Sequence, residues 1–205
     1  MTTPLEARIA ATQPKSPPTA SRILDEAERL AQTRGYNGFS YADVAAVVGT
    51  TKAALHYHFP SKAELGRALV DRYTERFLAA LDAIEARGGA APARLRRYAR
   101  LYAEVLKQDR LCLCGMLAAE YATLPDPMRS ALRGFFDRNE AWLADLLESG
   151  RRAGTLRFDG PARDSARALM AVLEGAMLLA RAYGDTKHFD SAASYLIRGI
   201  TSSAG

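Results

Sequence analysis

The segment from Gly38 to Lys62 constrains the fold more than any other part of the chain, because it contains closely spaced signals for helix starts and stops. Ser40 is followed three residues later by Asp43, a carboxylate variant of the capping box, so a helix is predicted to begin near Tyr41. Gly49 can adopt the left-handed backbone conformation that ends a helix without a steric penalty. The sequence therefore predicts a short helix followed by a tight turn.

A second short helix is predicted directly after this turn. Thr50 or Thr51 is its N-cap, and Pro60 ends it at about Phe59 because the residue before a proline avoids helical angles. A second capping box then starts a long helix at Lys62. Two short helices joined by a tight turn are typical of the helix-turn-helix motif, whose second helix enters the major groove of DNA.

The second helix has one side that suits a core and one that suits a ligand. At about 100° per residue, Leu55 and Phe59 share the side predicted to be buried. His56 and His58 diverge by about 200°, so they are not predicted to bind one metal ion. The outward side chains can contact base edges, while nearby hydroxyls, a lysine and helix-start amides can contact phosphates. The predicted DNA-contacting residues are Ser40, Tyr41, Thr50, Thr51, Lys52, Ala53, His56, Tyr57, His58 and Lys62.

The pattern resembles that of the TetR family of transcriptional regulators. The resemblance rests on Ala45, Gly49, Leu55, Tyr57, Phe59, Lys62 and Leu65, in the family's order and spacing. It implies an all-α protein with a three-helix DNA-binding domain over 21–66 and a helical ligand-binding and dimerisation domain over 67–205. The first 20 residues contain four prolines and no long apolar run, so they are predicted to form a flexible tail over 1–20. The resemblance also implies a homodimer that binds a double-stranded DNA operator, mostly as a repressor released by a small-molecule effector. No cofactor is expected.

The chain beyond Lys62 shows helical periodicity and no strand-like alternation. Glycine and proline divide it into predicted helices at about 62–86, 92–108, 112–123, 127–153, 161–183 and 188–202. Small residues among larger apolar ones make the last two helices the predicted dimer surface, because small side chains permit close helix packing. The residues of this predicted surface are Ala168, Leu169, Ala171, Val172, Leu173, Gly175, Leu178, Leu179 and Ala180. An ordinary interior helix is the alternative.

The resemblance further implies an effector pocket between the long helix and the dimer helices. Its predicted lining is Tyr98, Tyr102, Cys112, Met116, Glu120, Tyr121, Trp142, Leu173, Glu174 and Met177. Most of these residues suit an ordinary core equally well. A carboxylate at Glu174 is costly within an apolar helix unless it is functional or paired with an arginine across the dimer, and both interpretations stay open.

Two thiols lie near the start of a predicted helix. Cys112 and Cys114 diverge by about 200° on a helix, which argues against a mutual disulfide or a shared metal. One interpretation is that each is a small buried hydrophobe. The other is a resemblance to a TetR subgroup with a cysteine early in helix 6, some members of which sense electrophiles or small unsaturated acids. Arg110 and the helix start are predicted to lower the pKa of the Cys112 thiol.

Net charge alone does not predict the function. The chain has a net charge of +5, yet residues 1–65 contain seven Lys or Arg against six Asp or Glu. The sequence has no apolar run of the ~20 residues that span a bilayer and no signal-peptide pattern, so we predict a cytoplasmic protein with no membrane partner. Two other functions stay open: a helical protein-docking module, and a helical enzyme using Cys112, although its three histidines lie far from that residue in the sequence.

Overall fold

The computed structural model describes residues 19–202, and this range is helical apart from turns and one isolated antiparallel bridge between Leu156 and Thr201. The helices are α1 (Thr19–Arg34), α2 (Tyr41–Val48), α3 (Lys52–His58), α4 (Lys62–Arg87), α5 (Ala91–Leu106), α6 (Leu113–Ala119), α7 (Asp126–Arg152), α8 (Ala162–Tyr183) and α9 (Lys187–Ile200). The predicted all-α class is confirmed. The predicted tail over 1–20 lies outside the described residues, except that its last two residues begin α1.

The helix ends around the first turn form as the capping signals predict. Ser40 and Asp43 make the two reciprocal bonds of a capping box before α2, and Gly49 ends that helix with a φ of 70°. Thr51, rather than Thr50, caps α3, because its hydroxyl accepts a hydrogen bond from a backbone amide three residues on at 3.1 Å. These bonds satisfy backbone groups that helix ends leave free, so the α2–α3 turn is specified locally.

The first three helices share a small core and are fixed to the long helix α4. Ile23, Val44 and Leu55 are fully buried between α1, α2 and α3, and each contributes ~1.5–3 kcal/mol by leaving water. The buried Glu28 carboxylate of α1 accepts bonds from Arg72 at 3.1 Å and from Arg76 at 2.5 Å, both on α4. The orientation of the helix-turn-helix is therefore tied to α4.

The remaining helices pack around α4, α7 and α8. α7 lies between α4 and α8, and α9 packs against both α8 and α5. Their interior contains an aromatic cluster of Tyr73, Phe77, Tyr98, Tyr102 and Phe135. Within residues 19–202, no helix combines the length and apolarity needed to cross a membrane.

α6 differs from the predicted helix over 112–123. It ends at Ala119, and a short 3₁₀ turn, Tyr121–Thr123, separates it from α7. The break falls at Glu120, whose backbone leaves helical angles and whose carboxylate is held by the loop after α1. A contact distant in sequence therefore ends this helix.

Candidate DNA-binding surface and effector site

The outward side of α3 is open to solvent. Its exposed residues are Thr51, Lys52, Ala53, His56 and Tyr57, with Tyr57 84% exposed. Thr50 and His58 are half-buried at its edges, and the His58 ring packs edge-on against the Tyr57 ring at 5.2 Å. An exposed helix with a cation, an imidazole, a phenol and small side chains can enter a major groove and contact bases and phosphates.

Tyr41 is not part of this surface, which corrects its predicted role. Its ring is buried, and its hydroxyl donates a hydrogen bond to the Phe59 carbonyl at 2.6 Å. Burial raises the pKa of Tyr41 to about 12. The ring also packs against His56 at 4.7 Å, so Tyr41 braces the end of α3 from behind. Ser40 is exposed, but its hydroxyl is engaged by Asp43 at 2.6 Å.

Lys62 also takes a different role from the predicted phosphate contact. Its ammonium turns inward and donates to the carbonyls of Tyr36 at 2.6 Å and Phe39 at 2.5 Å, with both rings 4.5 Å away. Burial lowers the pKa of Lys62. The side chain fixes the loop between α1 and α2 to the start of α4, and this geometry leaves the ammonium turned away from a phosphate.

A cavity of about 160 Å³ lies between α4, α5 and α8. Three predicted lining residues border it, namely Tyr102, Cys112 and Met177. The residues that the sequence interpretation missed are Tyr73, Arg76, Phe77, Ala80, Leu101 and Val105. The i,i+4 spacing of Tyr73 and Phe77 on α4 was a usable signal, because it places two aromatic rings on one helix face.

Several other predicted lining residues belong to the core around this cavity. The Tyr98 hydroxyl donates to the Asn139 side chain at 2.9 Å, and the Trp142 ring stacks on Tyr98 at 5.5 Å. Leu173 is buried, and Met116 is half-buried outside the cavity lining. These side chains form a packed wall with satisfied hydroxyls and do not contribute directly to the cavity surface.

Glu174 lies beside the cavity and against α6. Its Oε1 atom is buried with no hydrogen-bond partner among the described residues. Its Oε2 atom lies where only a glycine fits, since a Cβ on Gly115 would approach it to 2.3 Å. Burial raises the pKa of Glu174 to about 7, and the nearby Cys112 thiol acts in the opposite direction. The carboxylate therefore points into its own protomer, which disfavours pairing with an arginine across a dimer.

The Cys112 thiol is buried, and its environment corrects the predicted reactivity. The Tyr73 hydroxyl donates to its Sγ atom at 3.6 Å. Burial and then the nearby Glu174 raise the pKa of Cys112 well above its usual value. Burial likewise raises the pKa of the Cys114 thiol. A helix start is present beside Cys112, but the apolar surroundings dominate.

Glu120 and Tyr121 lie outside the cavity, which corrects both predicted positions. The Glu120 carboxylate accepts hydrogen bonds from the backbone amides of Tyr36 at 2.5 Å and Asn37 at 3.3 Å. Gly35 permits this approach, because its φ is 83° and a Cβ there would meet Glu120 Oε1 at 2.6 Å. Tyr121 is partly exposed and accepts a hydrogen bond from an arginine of α7. Glu120 thus connects the end of α6 to the helix-turn-helix.

The predicted dimer surface divides into two sides. Ala180, Leu169 and Leu173 are buried within the protomer, which corrects their assignment to that surface. The exposed apolar members include Val172, Leu178 at 58% and Leu179 at 56%. Nearby exposed residues are Tyr183 on α8 and Tyr195 on α9. Because α8 and α9 pack together, these residues expose apolar surface on neighbouring helices, which is typical of a protein–protein interaction site.

An exposed second helix in a capped helix-turn-helix, joined to a helical body with a cavity between its helices, defines a helix-turn-helix DNA-binding protein with a separate sensing region. Comparison with protein families agrees. Residues 23–69 match the bacterial regulatory proteins of the tetR family, and residues 91–196 match the tetracyclin repressor-like C-terminal domain. The chain belongs to the TetR family of transcriptional regulators.

Individual relatives support this assignment. The chain is 31% identical over 152 residues to the transcriptional regulator AcuR of Cereibacter sphaeroides, covering 72% of this chain and 69% of AcuR. It is 28% identical over 169 residues to the transcriptional repressor NemR of Escherichia coli, covering 80% and 84%. A solved TetR-family regulator from Agrobacterium tumefaciens aligns with a TM-score of 0.87 and 35% identity, covering 90% of this chain and 98% of that one. These relatives are transcriptional regulators, which favours that function over a docking module or an enzyme.

Proposed function

We propose that this protein is a repressor that binds a palindromic operator as a homodimer and is released when a small molecule occupies the cavity beside Cys112 and Glu174. The observation that supports it most is the position of α6, which contacts the cavity region at one end and the helix-turn-helix at the other. The repressor named NemR, which is similar over most of its length, supports this direction of regulation.

The DNA-bound form requires two copies of α3. A single recognition helix with this few cationic groups gives little affinity, whereas two related by a two-fold axis can occupy half-sites ~34 Å apart on one face of a duplex. The exposed apolar patch on α8 and α9, around Leu178 and Leu179, supports a dimer through that face. Lys52 and Ala53 are the proposed base contacts, and Thr50, Thr51 and Tyr57 the proposed phosphate contacts.

The effector is small and does not require a covalent bond. The cavity of about 160 Å³ has the volume of about five water molecules in the liquid, so it admits a compact ligand with an apolar or aromatic body. The raised pKa of the buried Cys112 thiol disfavours a fast reaction with electrophiles. Non-covalent binding beside Tyr73 and Phe77, with a polar group toward Glu174, fits the site better.

α6 provides the physical connection between the two ends. A ligand that separates Cys112 from Tyr73, or Gly115 from Glu174, displaces a helix of only seven residues as a unit. That displacement moves Glu120 away from the Tyr36 amide and loosens the loop before α2. A ligand shifts this equilibrium only by its differential affinity for the two arrangements, typically ~1–3 kcal/mol.

The proposal is tested with DNA selected from a random pool by the wild-type protein. Fluorescence anisotropy then measures operator affinity alone and with a panel of compact aromatic and unsaturated molecules. We expect a palindromic site, binding of one dimer, and at least one compound that weakens binding by fivefold or more. A Gly115→Ala variant, which presses on Glu174, is expected to weaken operator binding without any ligand. If Gly115→Ala folds and binds the operator as tightly as the wild type, the role of α6 is wrong.

A further inference from the structure

A second cavity, unrelated to the effector site, lies in a groove between α5 and α9. Its volume is about 400 Å³, which is within the range of small-molecule pockets. Its apolar floor consists of Ala99, Ala103, Phe189, Ala193 and Ile197. The floor positions are four residues apart on both α5 and α9, so the floor runs as a stripe along the two helices rather than a single pit.

One end of this groove carries three arginines. Arg96, Arg100 and Arg198 border it, and none of the three guanidinium groups forms a hydrogen bond or ion pair with another described residue. Arg96 and Arg100 lie one turn apart on α5, a spacing at which like charges repel. The bridge between Leu156 and Thr201, with Leu156 packed near Ala91, places the end of α9 beside the start of α5. The two helices are therefore antiparallel, and the three arginines gather at one end.

Two other pairs of arginines are each neutralised by a shared carboxylate. Glu28 accepts bonds from two arginines of α4, and Glu140 accepts bonds from two arginines of α8. Within residues 19–202, no carboxylate partners the arginines at this end of the groove. At its other end, Lys107 is already paired with Glu104 at 2.8 Å, and Asp190 is acidic. Among the residues that the structure describes, the groove is therefore polarised, with uncompensated positive charge at its arginine end.

The groove is separate from the proposed dimer surface. Asp190, Ser194 and Arg198 lie on the flank of α9 that faces α5. Tyr195 and Gly199 lie on the opposite flank, where Tyr195 is 76% exposed and a Cβ on Gly199 would meet nothing. Dimerisation through α8 and the outer flank of α9 leaves the groove open.

We propose that this groove binds an anionic amphiphile as a free molecule, with its carboxylate held by Arg96, Arg100 and Arg198 and its acyl chain along the apolar floor. Guanidinium groups bind carboxylates with two parallel hydrogen bonds, which gives the arginine end its specificity. From Ala99 to Lys107 the α5 stripe spans ~12 Å, which accommodates a chain of medium length. This site is additional to the proposed effector cavity and does not depend on operator release.

Isothermal titration of the full-length protein with decanoate tests the proposal. We expect one decanoate per protomer, weaker binding at higher salt, and at least tenfold weaker binding of neutral decanol. The double variant Arg96→Ala/Arg100→Ala is expected to lose at least tenfold in decanoate affinity. The matched control Arg87→Ala/Arg152→Ala removes two exposed arginines outside the groove and is expected to bind as the wild type does.

Several outcomes would contradict the proposed anion-binding groove without contradicting the proposed DNA-binding function. Equal affinity for decanol excludes recognition of the carboxylate by the arginines. Undiminished decanoate binding by the double variant places the ligand elsewhere, including the effector cavity. Arginine-dependent binding to anionic vesicles without binding of free decanoate indicates a membrane surface instead. A Ser194→Trp variant, which obstructs the groove from its exposed rim, is expected to lose decanoate binding while retaining the helical circular dichroism and operator affinity of the wild type. Retained decanoate binding in that variant also overturns the assignment.

Discussion

The buried Glu174 carboxylate is expected to make the protein less stable as the pH rises. Its pKa is raised from 4.5 in the unfolded chain to about 7 in the fold, because burial disfavours the charged form. Between these two values the folded state binds more protons than the unfolded state, so the free energy of unfolding falls as pH increases through this window. The difference of about 2.5 pH units, at about 1.4 kcal/mol each, amounts to about 3 kcal/mol per protomer.

Urea unfolding of wild type and Glu174→Gln, at one protein concentration and at pH 4.5, 6, 7 and 8, measures this effect. The fixed concentration matters because the stability of a dimer depends on it. We expect the wild type to lose about 3 kcal/mol relative to Glu174→Gln between pH 4.5 and pH 8, with little change below or above the window. Glu75→Gln, which removes an exposed carboxylate from α4, is the control and is expected to follow the wild type.

Parallel pH profiles for wild type and Glu174→Gln refute the reasoning. They would show that Glu174 is either solvated or paired in the folded protein. A profile in which the wild type gains stability relative to the variant with rising pH contradicts it more strongly, because that sign requires a favourable partner for the carboxylate.

Other substitutions test the remaining parts of the structure. Lys62→Ala is expected to lower the free energy of unfolding by ~2 kcal/mol, measured by calorimetry, because two carbonyls lose their cation. It is also expected to weaken binding to all DNA sequences alike, measured by anisotropy. Lys52→Ala is expected to alter base preference in a new DNA selection, whereas Tyr57→Phe lowers affinity for every sequence by ~2- to 5-fold through loss of a phosphate bond. An unchanged preference in Lys52→Ala excludes its base contact. Leu178→Arg is expected to be a folded monomer by sedimentation and to show no operator binding at concentrations at which the wild-type dimer saturates the operator. A stable Leu178→Arg dimer excludes this face as the dimer interface.

The parts of the fold that depend on local chemistry could be predicted from the sequence. The Ser40–Asp43 box, the left-handed Gly49 and the proline after Phe59 act within a few residues, so they define α2 and α3 without tertiary information. The exposed side of α3 follows from the same helical geometry, because burial of Leu55 directs Lys52 and Tyr57 outward in the folded protein.

The contacts that join distant segments could not be predicted. Glu120 binds an amide 84 residues away, and Lys62 binds a carbonyl 26 residues away, so neither partner lies within any local pattern. Both residues looked like ligand contacts because they are charged and lie near apparent sites. The predicted fall in the pKa of Cys112 is wrong for a related reason: the sequence shows the helix start and Arg110, but not the burial that outweighs them.

The central claim is that Glu120 holds the helix-turn-helix in its DNA-binding position from the end of α6. The most direct test is the operator affinity of Glu120→Ala, measured by anisotropy on the selected DNA at fixed salt, with Glu104→Ala as a control on the exposed surface of α5. We expect the Glu120→Ala dimer to remain folded and to bind at least tenfold more weakly, because two charge-assisted bonds to the α1–α2 loop are lost. Wild-type affinity in a folded Glu120→Ala dimer would contradict the account.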